Sequence, residues 1–215
     1  MPISHHPPGD VLGDFVTGSL SEAEHLVVSV HVDQCTACQR FVGLMGQVTA
    51  AALANASAPE PPGAFAAIMA EVDHSPRPDP QDEHLPRSDP ELAELPELLQ
   101  RCQIGGWRWV APGLTTRPIL LTPDGRRRAF LLHGEPGTRL IQHTHTGEEL
   151  TCVLKGSYTD HTNRFETGDL DFSDEEVEHE LVVSDDGPCL CLIAMTGDLR
   201  LRGMLGRLIS PFIRL

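Results

Sequence analysis

His31-Val-Asp-Gln-Cys35-Thr-Ala-Cys38 places an imidazole and two thiols at the spacing HxxxCxxC. Residues four apart share one face of a helix, so His31 is expected one turn before Cys35, where the helix stops. Cys35 and Cys38 then straddle the turn into the next helix, and both thiolates can reach one ion. Zinc takes four tetrahedral ligands drawn from thiolate and imidazole, and this run supplies three. His5 or His6, near the N-terminus, is the candidate for the fourth. A closed site of two cysteines and two histidines would tie the N-terminal segment to two helices and supply much of the stability of a small unit.

A second group lies in the C-terminal half, where the chain from Gly137 to Gly156 reads GxxxxxHxHxxxExxxxxxG. His143 and His145 alternate along a strand, so both side chains point to one face. Glu149 follows a turn containing Gly147 and opens the next strand, which lets the three converge across a hairpin. Glu148 is an alternative, but the spacing favours Glu149. His179, eleven residues beyond Gly168, offers a third imidazole. Three imidazoles and a carboxylate suit Zn, Fe, Mn, Ni or Cu.

The remaining cysteines carry less. Cys189 and Cys191 face the same side of one strand and read as small core residues, with a redox pair as the alternative. Cys102 and Cys152 are expected to be buried, and Trp107 and Trp109 to pack at a barrel entrance or in its core.

The elements that would position these groups fall into three stretches. Residues 1–75 read as four helices. The first spans Asp10 to Thr17 and ends at Gly18. The second opens on a Ser21–Glu24 capping box and runs to about Asp33. The third starts near Thr36, and the fourth is AFAAIMAEV. Residues 76–91 are rich in proline and charge, which favours extended, solvated chain, and form a linker. From residue 92 to 215, short runs such as WRWV, PILL, AFLL, LTCVL, LDFS, ELVV and CLCLIAM are punctuated by Gly, Pro and Asp. That pattern suggests a β-sandwich or barrel.

Composition limits the function. The 215 residues carry a formal charge of −15 and a pI near 5.0. Phosphate contacts need Lys and Arg, so direct binding to nucleic acid or an anionic membrane is not expected. From Met1 to Asp73 the only Lys or Arg is Arg40, against acids at Asp10, Asp14, Glu22, Glu24, Asp33, Glu60, Glu71 and Asp73. This one-sidedness favours a basic partner. No apolar run approaches the ~20 residues of a membrane helix. The N-terminus MPISHHPPGD has no signal-peptide pattern, so a cytoplasmic location with reduced thiols is expected.

Early histidines followed by HxxxCxxC leading into a helix resemble the zinc-binding anti-sigma domain. The Gly137–Gly156 run resembles cupin motif 1, with His179 at the histidine of motif 2. Asp174, Glu176 and Val183 depart from motif 2, where the family often has Pro, Gly and Asn. Together the two halves resemble the ChrR-type anti-sigma factors along nearly the whole chain. The resemblance implies a multidomain α plus β protein, a four-helix zinc-binding bundle followed by a cupin barrel. It implies His6, His31, Cys35 and Cys38 as zinc ligands and His143, His145, Glu149 and His179 as cupin ligands, for zinc or another transition metal. It further implies a protein without enzymatic activity that inhibits an extracytoplasmic-function (ECF, group IV) sigma factor and releases it under oxidative stress such as singlet oxygen. The cupin would be needed for that response. The competing reading is a metal-dependent cupin enzyme, a dioxygenase or isomerase, because an open metal position can bind oxygen or act as a Lewis acid.

Overall fold

The computed structural model describes residues 2–55, 63–74, 91–124 and 127–201. The expected linker, almost all of it, and the segment after Leu201 lie outside the described residues. The N-terminal part contains α1 (Gly9–Thr17), α2 (Glu22–Gln34), α3 (Thr36–Asn55) and α4 (Ala64–His74). The capping box forms as expected. Glu24 N donates to Ser21 Oγ at 3.3 Å, and Ser21 N donates to Glu24 Oε2 at 2.9 Å.

Three of the helices pack together, α1 and α2 against each other and both against α3. Among the described residues the expected bundle of four is not confirmed. The side chains of α4 from Phe65 to Glu71 are all exposed, so this part of the helix does not enter the core. Helix α2 has no single apolar stripe. Ala23, Val27, Val28 and Val30 are all buried, because α2 is covered by helices on one side and by a sheet on the other. A helix apolar around much of its circumference is a buried helix.

After a 3-10 turn at Leu92–Glu94 and the short α5 (Glu97–Gln100), eleven antiparallel strands follow among the described residues. They are β1 (Arg108–Ala111), β2 (Leu114–Asp124), β3 (Arg127–Gly134), β4 (Arg139–His145), β5 (Glu149–Lys155) and β6 (Ser157–Thr159). Then come β7 (Arg164–Glu166), β8 (Leu170–Ser173), β9 (His179–Val183), β10 (Cys189–Thr196) and β11 (Leu199–Leu201). One sheet has the order β1-β2-β3-β10-β5-β8 and the other β11-β4-β9-β6-β7. This is the two-sheet architecture of a cupin.

In the middle of the six-stranded sheet, β10 is buried on both faces. On β10, Cys189, Cys191, Ile193 and Met195 join the core between the sheets with Phe130, Val153, Tyr158 and Val183. The alternate residues Leu192 and Ala194 turn outward to a second core, shared with Val27, Val28 and Val30 of α2. Strict alternation of side chains across a strand therefore makes CLCLIAM apolar at every position. Gly156 closes the motif for a steric reason. It turns β5 into β6 at φ +78°, and a Cβ there would lie 2.3 Å from the Pro188 carbonyl oxygen.

Two expectations fail. Trp109 is 73% exposed, and Trp107 is also exposed, its ring edge-on to His133 and beneath the Arg117 guanidinium, 5.4 Å away. Cys102 is half-buried rather than buried, whereas Cys152 is fully enclosed.

Candidate metal centre

Cys35 breaks the helical path. Its φ of −104° and ψ of 103° end α2, while its N–H still bonds the His31 carbonyl at 2.9 Å. Gln39 N bonds the Cys35 carbonyl at 2.9 Å and starts α3, which puts Cys38 on the first turn. His31, Cys35 and Cys38 are buried. His6 arrives from the irregular N-terminal segment. Its Nδ1 lies 3.3 Å from Cys35 Sγ and 3.5 Å from Cys38 Sγ, and His31 Nε2 lies 3.3 Å from Cys38 Sγ. All four candidate ligand atoms lie within 4.8 Å of one another.

That geometry fits a tetrahedral ion. Bonds of about 2.0 Å to nitrogen and 2.3 Å to sulfur give a nitrogen–sulfur edge of about 3.5 Å. His5 points elsewhere. Its Nδ1 is 3.2 Å from Asp169 Oδ2, and its ring packs on Phe165 at 4.5 Å between centroids.

The protonation states follow from burial. Burial lowers the His31 pKa, partly offset by the Gly168 carbonyl, so the ring is neutral, the form that ligates metal. Burial, followed by the neighbouring Cys35 sulfur, pushes the Cys38 thiol up to about 12. A metal entering here must displace that proton. If all four bound one ion they would leave no open coordination position, which suits structure rather than catalysis.

In the second group, β4 carries His143 and His145 on one face as expected, both buried, with ring centroids 5.1 Å apart at 84°. Glu149 opens β5, also buried. His145 Nε2 lies 3.1 Å from Glu149 Oε2, and Thr151 Oγ donates to Glu149 Oε1 at 3.2 Å. The backbone of His179 pairs with His143 across β4 and β9; its side chain lies outside the described residues. His143 and Glu149 line a cavity of about 60 Å³ with Phe130, Tyr158, Leu181 and Cys191. Cys189 and Cys191 lie on one side of β10 as expected and line this cavity, their sulfurs 3.6 Å apart.

A 34% identical relative spans all of this chain and all of its own length: the anti-sigma-E factor ChrR of Cereibacter sphaeroides. The chain belongs to the ChrR anti-sigma factor family. The family model described as the ChrR cupin-like domain matches residues 97–197, so the matched part includes His143, His145, Glu149 and His179. A chain from the crystal structure of Rhodobacter sphaeroides SigE in complex with the anti-sigma ChrR superimposes with a TM-score of 0.69. The match covers 90% of this chain and 99% of that one at 30% identity. Among the described residues, no helix is long and apolar enough to cross a membrane.

Sequence reasoning missed the turn between β7 and β8. Asp169 is buried and accepts hydrogen bonds from the backbone N–H of Ser4, His5 and Glu166. Burial alone would raise its pKa, but those N–H groups and the His5 side chain hold it below the usual carboxylate value. The only signal was the Gly168-Asp169 pair at the start of the second histidine motif, and nothing in one sequence tells that this pair meets the N-terminus.

Proposed function

We propose that this chain acts in the cytoplasm, where it binds and inhibits an ECF sigma factor and releases it under oxidative stress such as singlet oxygen. In this reading residues 1–75 form the anti-sigma unit, 76–91 the linker and 92–215 the cupin unit. His6, His31, Cys35 and Cys38 hold zinc. His143, His145, Glu149 and His179 hold a second metal, zinc or another such as Fe, Mn or Ni.

One observation carries the reading. Phe41, Leu44 and Val48 recur on one face of α3, and Phe65, Ile68 and Met69 on one face of α4, all of them exposed. Two apolar helix faces left uncovered among the described residues mark an interaction surface, of the kind that packs against partner helices. The α3 face begins one turn after Cys38, on the helix whose first turn carries that cysteine. The acidic composition of residues 1–73 adds long-range attraction to a partner made basic by its own nucleic-acid binding. Zinc would supply folding energy and hold α2, α3 and the N-terminal segment together. Oxidation of its thiolate ligands would remove that hold. The small, mostly apolar cupin cavity supports regulation over turnover, since ligand pockets usually run from about 300 Å³.

Co-expression with the sigma factor encoded beside this chain tests the proposal. The wild type should co-purify with the sigma factor and block its transcription with core polymerase in vitro, and the Cys35→Ala, Cys38→Ala double variant should do neither. Failure of the wild type to bind would overturn the reading, and the cupin would next be assayed for turnover.

A further inference from the structure

The metal cluster is not completed by the helices alone. The turn joining β7 to β8 in the cupin sheets bonds one of its four side chains, His31, and holds the segment that carries another, His6. His31 Nδ1 donates to the Gly168 carbonyl oxygen at 2.8 Å, in a buried contact. A carbonyl can only accept, so the proton is fixed on Nδ1. In the neutral ring the Nε2 lone pair is then free and faces Cys38 Sγ, 3.3 Å away.

The same turn holds the segment that carries His6. Asp169 Oδ1 accepts from Ser4 N at 2.7 Å and from His5 N at 3.0 Å, and Leu170 N donates to the His5 carbonyl at 3.2 Å. Asp169 Oδ2 lies 3.2 Å from His5 Nδ1. Both peptide groups of His5 are therefore tied to the cupin, one residue before His6. Residues 2–8 have no regular secondary structure, so no helix or strand of their own holds His6 in place. Gly168 is required at this junction. Its φ is +94°, and a Cβ there would lie 2.8 Å from the Ile3 side chain.

We propose that Gly168 and Asp169 are positioning residues for the N-terminal metal site. The cupin turn supplies its outer coordination shell, and the site holds its metal at full strength only while the N-terminal segment and α2 are seated on that turn. This rests on the zinc reading above. Outer-shell partners of metal ligands fix tautomer and orientation, and their loss typically lowers affinity by about 10- to 100-fold.

The experiment uses the full-length protein, loaded with zinc and, in parallel, with cobalt. Transfer of metal to a chromophoric chelator is followed in wild type, Asp169→Asn, Asp169→Ala and Ser4→Pro. Cobalt reports the ligand field at the two-cysteine site directly. Asp169→Ala should release zinc about 10- to 100-fold more readily and shift the cobalt absorption bands. Asp169→Asn, which keeps one acceptor oxygen for the Ser4 and His5 N–H groups, should fall between. Ser4→Pro deletes an N–H from the other side of the clasp and leaves the sheets untouched, so it decides the matter if Asp169→Ala does not fold. It should act in the same direction. Wild-type release and an unshifted cobalt spectrum in folded Asp169→Ala or Ser4→Pro would overturn the proposal alone. A Cys35→Ser, Cys38→Ser double variant with the metal content of wild type would instead remove the zinc reading, and the proposal with it.

Discussion

His6 and His31 meet edge to face, their ring centroids 5.7 Å apart at 82°, and this crossing aims one nitrogen of each toward the cysteine pair. His5, next to His6, faces Asp169 instead. Metal analysis of single variants should separate the two. His6→Ala, Cys35→Ser and Cys38→Ser should each drop from two metal equivalents per chain to one. His5→Ala should keep both, because the backbone bonds of His5 to Asp169 and Leu170 survive the change. Equal loss in His5→Ala and His6→Ala would contradict this assignment.

The exposed faces of α3 and α4 predict a binding phenotype without a folding phenotype. Leu44 is 61% and Phe65 71% exposed, so aspartate at either position removes no core contact. Leu44→Asp or Phe65→Asp should weaken sigma binding by at least about 10-fold, the scale of a truncated anchor at an interface. Melting temperature should move by no more than a degree or two. Titration by calorimetry beside a thermal melt checks both halves. A large drop in melting temperature would show that these side chains stabilise the fold instead.

Much of this was legible in the sequence because it depends on short spacings. HxxxCxxC needs only one helical turn and one break, and His143, His145 and Glu149 need only a hairpin. The Ser21–Glu24 box and most strands follow from local patterns of the same kind. The meeting of Asp169 with Ser4 and His5 was not legible, because it joins residues about 165 positions apart. The all-round burial of α2 and the two-sided burial of β10 are visible as composition, but which surfaces cover them is not. Trp109 misled because a large aromatic residue at a strand start is as compatible with the open edge of β1 as with a core.

The cupin group should titrate independently of the first. Replacing Glu149 by Gln removes the carboxylate beside His145 Nε2 while keeping the volume of the side chain. The variant should lose the cupin metal and retain the one held near Cys35. Inhibition of the sigma factor should persist, and release under singlet oxygen should be lost. Metal content and an in vitro transcription assay with a photosensitiser measure these separately. Constitutive release in Glu149→Gln would count against a sensing role for the cupin.

Deeper in the barrel, Tyr158 donates its hydroxyl to Asp171 Oδ2 at 3.0 Å, and burial raises the Asp171 carboxyl to about 6. An unfolded aspartate titrates near about 3.9. Below that value the folded and unfolded states are both protonated at this residue, and it costs nothing. As pH rises from about 4 to about 6, the unfolded chain loses its proton first, and stability falls. Above about 6 the full penalty persists, and a gap of this size corresponds to about 3 kcal/mol. Asp171→Asn cannot ionise, and its carbonyl oxygen still accepts the tyrosine hydroxyl. The variant should therefore unfold at a higher temperature than wild type at pH 7.5, with the difference shrinking to nothing by about pH 4. Thermal melts of the two proteins across that range make the check. A difference that stays constant with pH would mean that Asp171 acts through packing and not through its charge.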